Sequence, residues 1–421
     1  MPRLLLVTDH VPPRPGIATI RSRQLIQRLP EFGWDVDVFT QRHAEWEPSV
    51  PVYSSAGADY TALVKRSLRL GSAQAEDGGI ISASQRRRGM KAWAFQTGYA
   101  VTEYATRRFG WIRDGVPALR DLLASGRYDA VLSTSPPESA HAIVALANGA
   151  RVPWVADFRD LWRRDHLWRT SPVRVAADSI LESAALRGAS AITTVSQPYV
   201  RLLQRRYPGR HVAAIPNAFD AAEWSEVPFE RSDLFRIVYA GQFYDGRSPE
   251  LLLRTLESLI ARRLLPRSRV RFDVYGCTER WLRDLIARYN LEGVVHIHAL
   301  IPRSEVMRRL RRANLLLLAL WNHPSEEGMY TGKVFEYLGA RRPIIAVDGP
   351  QVSVIDDLLE RTGAGKRHHD EETLARAVLE GFEAHERGEI VTIPLEQTLA
   401  FESAALARGF CSVLEAIRAH A

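Results

Sequence analysis

Short apolar runs alternate with stretches of helix-forming residues through most of this chain, and the alternation starts afresh once. Residues 3–8 are predicted to form a buried strand, residues 18–30 a helix and residues 35–39 a second strand, which together make a βαβ unit. The same succession begins again at residues 235–241, where a buried strand ends in glycine. The pattern predicts an α/β protein with two Rossmann-like, doubly wound domains.

Chain length agrees with two domains. A chain of 421 residues is too long for one ordinary hydrophobic core. Residues 220–233 mix Glu, Ser and Pro without periodicity, so we predict the domain boundary there. We expect a first domain at residues 1–222, a second at 223–395, and a C-terminal helix at 396–421 that packs back towards the first domain.

Residues 43–113 interrupt the alternation and are predicted to be an insertion in the first domain. Residues 73–89 are rich in Gly, Ser and Ala, and residues 85–111 interleave arginine with tryptophan, phenylalanine and tyrosine. Such interleaving is typical of a contact with an anionic membrane surface or a lipid acceptor. The alternative is that the aromatic side chains pack inward while the arginines are solvated.

Charge alone does not indicate a nucleic-acid partner. The net charge is +7, but only four of the 56 basic residues are lysines, and the arginines are spread along the whole chain. We therefore expect no nucleic-acid binding. Because this chain nearly always uses arginine as its basic residue, the lysine at position 333 is notable.

Cysteine and hydropathy patterns indicate the compartment. Cys277 and Cys411 are the only cysteines, so no disulfide framework is expected, and a reducing cytosol is favoured. The longest apolar run falls far below the roughly 20 residues of a membrane span. We expect a cytoplasmic protein that does not cross a bilayer, with peripheral attachment to the inner face of the cell membrane as the alternative.

The segment at residues 330–347 is predicted to be a loop, a helix and a buried strand. Gly332 can open a turn, and a helix beginning there directs unpaired N–H groups and the positive end of its dipole into the loop. Lys333 adds a full charge at that end, while Glu336 lies on the same helical face. The segment fits a site for phosphate and hydroxyl groups, as in a nucleotide-sugar. The alternative is an ordinary surface helix with a Lys333–Glu336 ion pair.

Polar residues follow several predicted strands, where ligands bind in open α/β sheets. The loop at residues 10–19 contains Gly16 but no G-x-G-x-x-G pattern. Asp157, Arg159 and Asp160 form a concentration of charge at a strand end, which must pair internally or face a ligand.

Two other patterns carry no expected chemistry. Residues 363–366 resemble a phosphate-binding loop but lack its spacing and its Ser or Thr. The histidine pairs at 296/298 and 368/369 have no nearby Cys or His partners in the sequence, so no metal site is expected.

Six motifs in order along the chain resemble the GT-B glycosyltransferases, and within them the retaining glycosyltransferase family 4 of bacterial cell-surface glycan enzymes. The motifs are Asp9 to Gly16 (DHVPPRPG), Ser133 to Pro137 (STSPP), Asp157 to Trp162 (DFRDLW), Ile215 to Asn217 (IPN), Tyr239 to Gly241 (YAG), and Gly332-Lys333 with Phe335 to Gly339 (FEYLG) and Pro343. The resemblance implies two Rossmann-like domains facing a central cleft, the first binding mainly the acceptor and the second the nucleotide-sugar.

The resemblance also implies roles for individual residues. Lys333 and Arg247 would stabilise the leaving diphosphate, and Glu336 would bind the ribose. Asp157 and Arg159, the other two expected catalytic residues, would position the acceptor. The remaining donor-binding residues would be Gly16, Ile17, Gly241, Gln242, Glu327, Thr331 and Gly332. The acceptor-binding residues would be His10, Pro137, His141 and Asp160.

The chain departs from the family pattern at three positions. The first glutamate of the family's glutamate pair falls at Gly328, so Glu326 and Glu327 are the alternatives for the sugar-facing carboxylate. Gln242 stands where relatives carry an arginine. Arg159 stands near a strand end where many relatives carry a histidine.

From these patterns we predict transfer of a sugar from a nucleoside-diphosphate-sugar to an acceptor hydroxyl, with retention and without metal or cofactor. The acceptor would be lipid-linked or a small molecule. The alternatives are a nucleotide-sugar epimerase, a non-catalytic glycosyltransferase-like subunit and a lipid-surface binding protein.

Overall fold

The computed structural model describes residues 1–14, 16–41, 46, 49–55, 111–149, 151–163, 172–243 and 246–420. It divides into two compact units. Unit 1 comprises Met1–Thr194, Arg206–Ala213 and Phe410–Ala421, and unit 2 comprises Val195–Arg205 and Ala214–Gly409. Most of the predicted insertion at 43–113, including the segment at 85–110 considered for membrane contact, lies outside the described residues.

Unit 1 is built on a seven-stranded sheet with the order β3-β2-β1-β4-β5-β6-β7. The strands are β1 (Arg3–Val7), β2 (Asp35–Gln41), β3 (Val52–Ser55), β4 (Ala130–Ser135), β5 (Trp154–Phe158), β6 (Ala191–Thr194) and β7 (His211–Ala214). β1 pairs in parallel with both β2 and β4. Leu4, Leu5 and Leu6 are fully buried, as expected for a central parallel strand covered on both faces.

Helices connect these strands. They are α1 (Ile17–Arg28), the helical residues 111–124, α2 (Ser139–Ala147), α3 (Pro172–Leu186) and α4 (Gln197–Arg206), with a 3-10 turn at Leu29–Phe32. α4 lies in unit 2 as far as Arg205.

Unit 2 is built on a six-stranded sheet with the order β10-β9-β8-β11-β12-β13, and all its strand pairs are parallel. The strands are β8 (Phe235–Ala240), β9 (Val270–Tyr275), β10 (Val295–His298), β11 (Leu315–Leu320), β12 (Ile344–Asp348) and β13 (Gly365–His368). This order is the doubly wound arrangement of dinucleotide-binding folds. The prediction of two Rossmann-like α/β domains is confirmed.

The helices of unit 2 lie between and after these strands. They are α5 (Ala221–Ser225), α6 (Glu250–Ala261), α7 (Arg280–Arg288), α8 (Arg303–Arg312), α9 (Gly332–Ala340), α10 (Val354–Thr362), α11 (Glu371–Glu386), α12 (Leu395–Thr398) and α13 (Ser403–Ala419). Short 3-10 turns occur at Arg267–Arg269, Pro324–Glu326 and Leu399–Phe401. From Phe410 onward α13 belongs to unit 1. No helix within the described ranges is both long enough and apolar enough to span a membrane.

Three elements differ from the sequence-based prediction. β3 and β13 are short edge strands that were not predicted, and β13 occupies the segment that resembles a phosphate-binding loop. The predicted single helix at 397–420 is broken, because Glu402 is extended and its carboxylate accepts the N–H of Ala404 at 2.6 Å, which starts α13. The predicted domain limits at 222 and 395 stay predictions.

Candidate functional site

The order of strands in unit 2 defines where a ligand would bind. The order in which strands are added to the sheet reverses at β8 and β11, which are parallel neighbours: β9 and β10 lie on one side of β8, and β11 to β13 lie on the other. In doubly wound sheets the crevice at such a switch point, outside the carboxyl ends of the strands, is the usual ligand site. Gly241 follows β8 directly, and the loop at 321–331 leads from β11 into α9.

Lys333 lies across the backbone of Gly241. A Cβ atom added to Gly241 would lie 2.7 Å from Lys333 Cε and 2.9 Å from its Nζ, and Gly241 has a φ of +117°, which side chains rarely adopt. Lys333 Nζ is 5.1 Å from the centre of the Tyr239 ring. Glycine at 241 therefore allows the ammonium group to reach the end of β8.

The Lys333 ammonium has no carboxylate partner in the part of the chain that the structure describes. The alternative reading of an ordinary Lys333–Glu336 pair does not hold, because Glu336 instead accepts from Arg303. Burial, with the positive charge of Arg247 as a smaller cause, lowers the pKa of Lys333 to about 8. The charge of Glu336 acts in the opposite direction without forming an ion pair with Lys333. A desolvated cation that has no ion-pair partner attracts an anionic ligand.

The beginning of α9 offers further donors. Thr331 is the residue before the helix, and its side chain caps no backbone N–H. Its Oγ1 atom is buried without a hydrogen-bond partner among the described residues. The first N–H groups of a helix have no partner within the helix. Thr331, Gly332 and Lys333 thus present hydroxyl, backbone and ammonium donors at one helix end.

Arg247 is the second predicted cation of the site. Its Nη2 donates to Glu326 Oε2 at 2.9 Å and lies 3.8 Å from Met329 Sδ. Glu326 is therefore engaged in an ion pair. Glu327 is half-buried and its side chain forms no hydrogen bond or ion pair with the rest of the described chain, so its carboxylate is the one of the two without a partner.

The space beside Gly328 is filled by an aromatic ring. A Cβ atom there would lie 2.4 Å from the ring of Tyr199, which belongs to the same unit. The Gly328 carbonyl accepts a hydrogen bond from Ser196 Oγ at 2.6 Å. The Tyr199 ring fills the space of a side chain, and this could not be read from the sequence because the two residues are far apart in the chain.

Glu336 is held by an arginine that sequence reasoning missed. Arg303, at the start of α8, donates one nitrogen to Glu336 and another to Glu223 Oε2 at 3.0 Å. Although burial opposes the change, the carboxylates of Glu336 and Glu223 raise the pKa of Arg303. Arg303 thus orients the Glu336 carboxylate.

Asp157, in unit 1, is fully buried and saturated with hydrogen bonds. Arg21 donates to it through Nε at 3.1 Å and Nη2 at 2.9 Å, and the hydroxyls of Thr134 and Thr193 donate at 2.8 Å each. Arg21 is itself fully buried and lies 5.1 Å from the Phe410 ring. The charge cluster predicted from the sequence therefore pairs internally at Asp157.

Arg159 and His141 are also buried in unit 1. Arg159 donates to the carbonyls of Ser135, at 3.1 Å, and Pro136, and burial lowers its pKa to about 10. His141 Nδ1 is 2.7 Å from Ser133 Oγ, and burial lowers the pKa of His141 to about 3, so the ring is neutral at pH 7. These two side chains support the loop after β4.

The other predicted unit 1 residues lie nearer the surface. His10 and Pro137 are half-buried and Asp160 is exposed. Gly16 precedes α1 with a φ of +118°, and no atom lies within 4 Å of an added Cβ, so its backbone conformation rather than space requires glycine. Ile17 is the first residue of α1. In unit 1 these residues are accessible, whereas Asp157, Arg159 and His141 are buried.

No group of three or more His, Cys, Asp or Glu side chains within the described ranges could hold a metal ion. The residues around α9 present mainly donors, which suit an anion directly.

Two family models match the chain in succession. Residues 16–218 match the glycosyl transferase 4-like domain, and residues 235–383 match the glycosyl transferases group 1 domain. No curated protein sequence matches the chain.

Solved structures with the same fold cover almost the whole chain. A sucrose-phosphate synthase from Thermosynechococcus elongatus is 16% identical with a TM-score of 0.63, and each chain covers 100% of the other. An α,α-trehalose-phosphate synthase (UDP-forming) from Burkholderia vietnamiensis is 14% identical with a TM-score of 0.63, covering 100% of this chain and 99% of its own. A lipopolysaccharide outer core galactosyltransferase, WaaB, is 10% identical with a TM-score of 0.56, and the match covers 98% of this chain and 99% of the galactosyltransferase chain. With both domain models in order on a pair of Rossmann-like sheets, this chain belongs to the GT-B glycosyltransferases.

Proposed function

We propose that this protein transfers a glycosyl group from a nucleoside-diphosphate-sugar to an acceptor hydroxyl, with retention of configuration and without a metal ion. The observation that carries the proposal is the Lys333 ammonium group. It has no carboxylate partner in the described chain and lies at the start of α9 across the backbone of Gly241. A related structure, 9% identical with a TM-score of 0.59, is of a trehalose-6-phosphate protein from E. coli bound with UDP-2-fluoro glucose.

Charge neutralisation of the leaving diphosphate is the central step of the proposed mechanism. Lys333 and the N–H groups at the start of α9 bind the diphosphate, and Arg247 adds a cation held in place by Glu326. As the glycosidic bond breaks, negative charge grows on the leaving oxygen. That oxygen takes the proton of the acceptor hydroxyl on the same face of the sugar, which gives retention without a protein nucleophile.

Other groups fix the donor in place. Glu336, oriented by Arg303, accepts hydrogen bonds from the ribose, and Gln242 follows Gly241 at the end of β8, on the donor side of the unit 2 sheet. Glu327, which has no partner in the described chain, binds the sugar hydroxyls. The backbone at Gly328 carries no side chain that could do so, since Tyr199 occupies that space.

Unit 1 supplies the acceptor groups in this proposal. His10, Pro137 and Asp160 contact the acceptor because they are partly or fully accessible. Asp157, Arg159 and His141 act indirectly, since their polar atoms bind protein groups and hold the strand ends that carry the acceptor loops. The acceptor is a lipid-linked glycan or a small molecule made in glycan biosynthesis at the cytoplasmic face of the membrane.

The first experiment identifies the donor. A panel of nucleoside-diphosphate-sugars is screened for thermal stabilisation, since a ligand that binds only the folded state raises the melting temperature. The donor found there is then supplied with candidate acceptors, and the anomeric configuration of the product is read by NMR. Inversion, or activity lost in EDTA and restored by a divalent metal, would contradict the mechanism.

The second experiment tests Lys333. Lys333→Ala should reduce turnover by about 10²-fold or more, as loss of one preorganised electrostatic contact does. The matched control is Arg280→Ala, whose side chain is 93% exposed on α7. Wild-type turnover in Lys333→Ala would show that the leaving group is stabilised elsewhere.

A further inference from the structure

A cavity of about 780 Å³ lies in unit 2, away from the donor site. Its lining includes Asn314 and Leu315 at the start of β11, Pro343 and Ile344 at the start of β12, and the edge strand β13. These are the amino-terminal ends of β11 and β12. The donor residues around Gly241 and Lys333 lie at the carboxyl-terminal ends of the same sheet, so the cavity is a separate site.

Arg342 provides a buried positive charge in this lining. Its side chain is 2% exposed, and it donates through Nε to the Ala313 carbonyl and through Nη1 to the Val391 carbonyl at 2.7 Å. A guanidinium group has five N–H donors, so donors remain beyond these two bonds. No carboxylate in the described part of the chain forms an ion pair with Arg342, and burial alone lowers its pKa to about 10.

Most of the other charges of the lining are paired within the described residues. Arg367 pairs with Asp356, and Arg387 pairs with Glu389. Asp370 is engaged in capping α11 at Thr373. Arg376 pairs with Glu372. Lys366 is exposed and forms no ion pair within the described residues, and Glu380 on α11 is the acidic residue of the lining that has neither an ion pair nor a capping role there.

We propose that this cavity is a second ligand site, for a small organic anion that carries an apolar portion. The negative group would bind Arg342, with Lys366 at the rim, and the apolar portion would lie against Pro343, Ala377 and Val391, which have accessible surface. The volume falls in the range of roughly 300–1,000 Å³ that holds drug-sized ligands, whereas an inorganic ion would leave most of it unfilled. This inference does not depend on the proposed transferase mechanism.

The test uses a probe with both required features, 8-anilinonaphthalene-1-sulfonate, whose fluorescence rises when it enters an apolar pocket. Its neutral analogue, N-phenyl-1-naphthylamine, has the same rings without the sulfonate. We expect saturable binding of the sulfonate at one site per chain and binding of the neutral analogue at least about tenfold weaker, since the analogue cannot pair with the cations. Equal binding of the two would overturn the proposal.

Variants locate the binding. Arg342→Gln removes the charge but keeps an amide donor for a carbonyl, and should weaken sulfonate binding about tenfold. Lys366→Glu is the second variant, because Lys366 is exposed and its replacement preserves the fold even if Arg342→Gln unfolds the protein. Lys366→Glu should weaken sulfonate binding about threefold or more. Lys333→Ala, at the opposite end of the sheet, and the exposed Arg280→Ala should bind the probe as wild type does. Unchanged binding in Lys366→Glu, or loss of binding in Lys333→Ala, would refute a site in this cavity.

Discussion

The two units share a strand order, and each carries a notable charge near the carboxyl end of its sheet, yet the charges have opposite surroundings. Asp157 of unit 1 accepts four hydrogen bonds, two of them from Arg21, and has no exposed surface. Lys333 of unit 2 has an aromatic ring and a glycine backbone beside it but no carboxylate partner in the described chain. A buried charge that the protein pairs fully cannot lose its partner without a large loss of stability, whereas a charge with no ion-pair partner at a switch point is available to a ligand.

The largest expected effect is on the paired charge. Asp157→Ala leaves Arg21 buried without its carboxylate, and removal of one partner of a buried pair costs about 3–5 kcal/mol. The free energy of unfolding from urea titration measures it. The control is the double variant Arg21→Met with Asp157→Leu, which removes both charges and should be destabilised less than Asp157→Ala.

The comparison would break if Asp157→Ala kept the stability of the wild type while losing transfer activity. Asp157 would then contact substrate, as the family resemblance implies, and its hydrogen bonds to Arg21, Thr134 and Thr193 would be replaced on ligand binding.

The fold was predictable from the sequence because its signals are local. Apolar strands such as β1 and β11 are continuous runs of leucine and valine, and their alternation with helices defines the fold class. β13 reads Gly-Lys-Arg-His and β3 reads Val-Tyr-Ser-Ser, so these two edge strands lack the apolar pattern of a buried strand. β3 and β13 are strands because they pair with β2 and β12, and a local sequence pattern carries no information about that pairing.

The site was predictable only in part, for a related reason. Lys333, Glu336 and Gly241 stand in motifs whose spacing can be read directly. The partner of Asp157 is Arg21, 136 positions away, and the ring that excludes a side chain at Gly328 comes from Tyr199. Whether a charge is compensated depends on such distant partners, and so the sequence identified the charged residues without separating the structural from the functional ones.

The next largest effect concerns the glycine that accommodates Lys333. Gly241→Ala adds a Cβ within 3 Å of the Lys333 side chain and forces a side chain into a φ of +117°. We expect donor affinity to fall about tenfold or more, because the ammonium must move away from the diphosphate. Isothermal titration with the donor measures this, and Gly209→Ala, at a φ of +78° with no atom within 4 Å, controls for backbone strain alone.

Gly241→Ala and Gly209→Ala should therefore differ in donor binding more than in stability. Equal donor affinity in both would show that Lys333 does not need its position against the β8 end.

A pH titration separates two effects of the Lys333 charge, one on stability and one on donor binding. The pKa of Lys333 is lowered from 10.5 to about 8 in the folded protein, so the unfolded state binds more protons between these values. The contribution of Lys333 to stability therefore rises as pH increases from about 8 towards 10.5. Donor affinity should do the opposite and fall about tenfold per pH unit above 8, because the ammonium loses its proton.

Lys333→Met keeps the length of the side chain and cannot titrate, so it serves as the control. It should flatten the fall of donor affinity above pH 8. A wild-type affinity that stays constant to pH 9.5 would show that the ammonium does not bind the diphosphate.

The smallest expected effect is at Arg303. This arginine donates to Glu336, the expected ribose ligand, and to Glu223. Its side chain is 39% exposed and Glu336 is 26% exposed, so the ion pair adds little to stability. Arg303→Gln should change the free energy of unfolding by less than about 1 kcal/mol. It should weaken donor binding about threefold, since Glu336 loses the group that orients it towards the ribose. The informative measurement is the preference of the protein for a ribonucleotide donor over its 2′-deoxy analogue, which should shrink in Arg303→Gln if Glu336 reads the ribose hydroxyls. The opposite outcome is a variant that binds the donor more weakly while its preference for the ribonucleotide stays as large as in the wild type. In that case Arg303 itself contacts the donor, and Glu336, like Glu223, serves only to hold Arg303 in place.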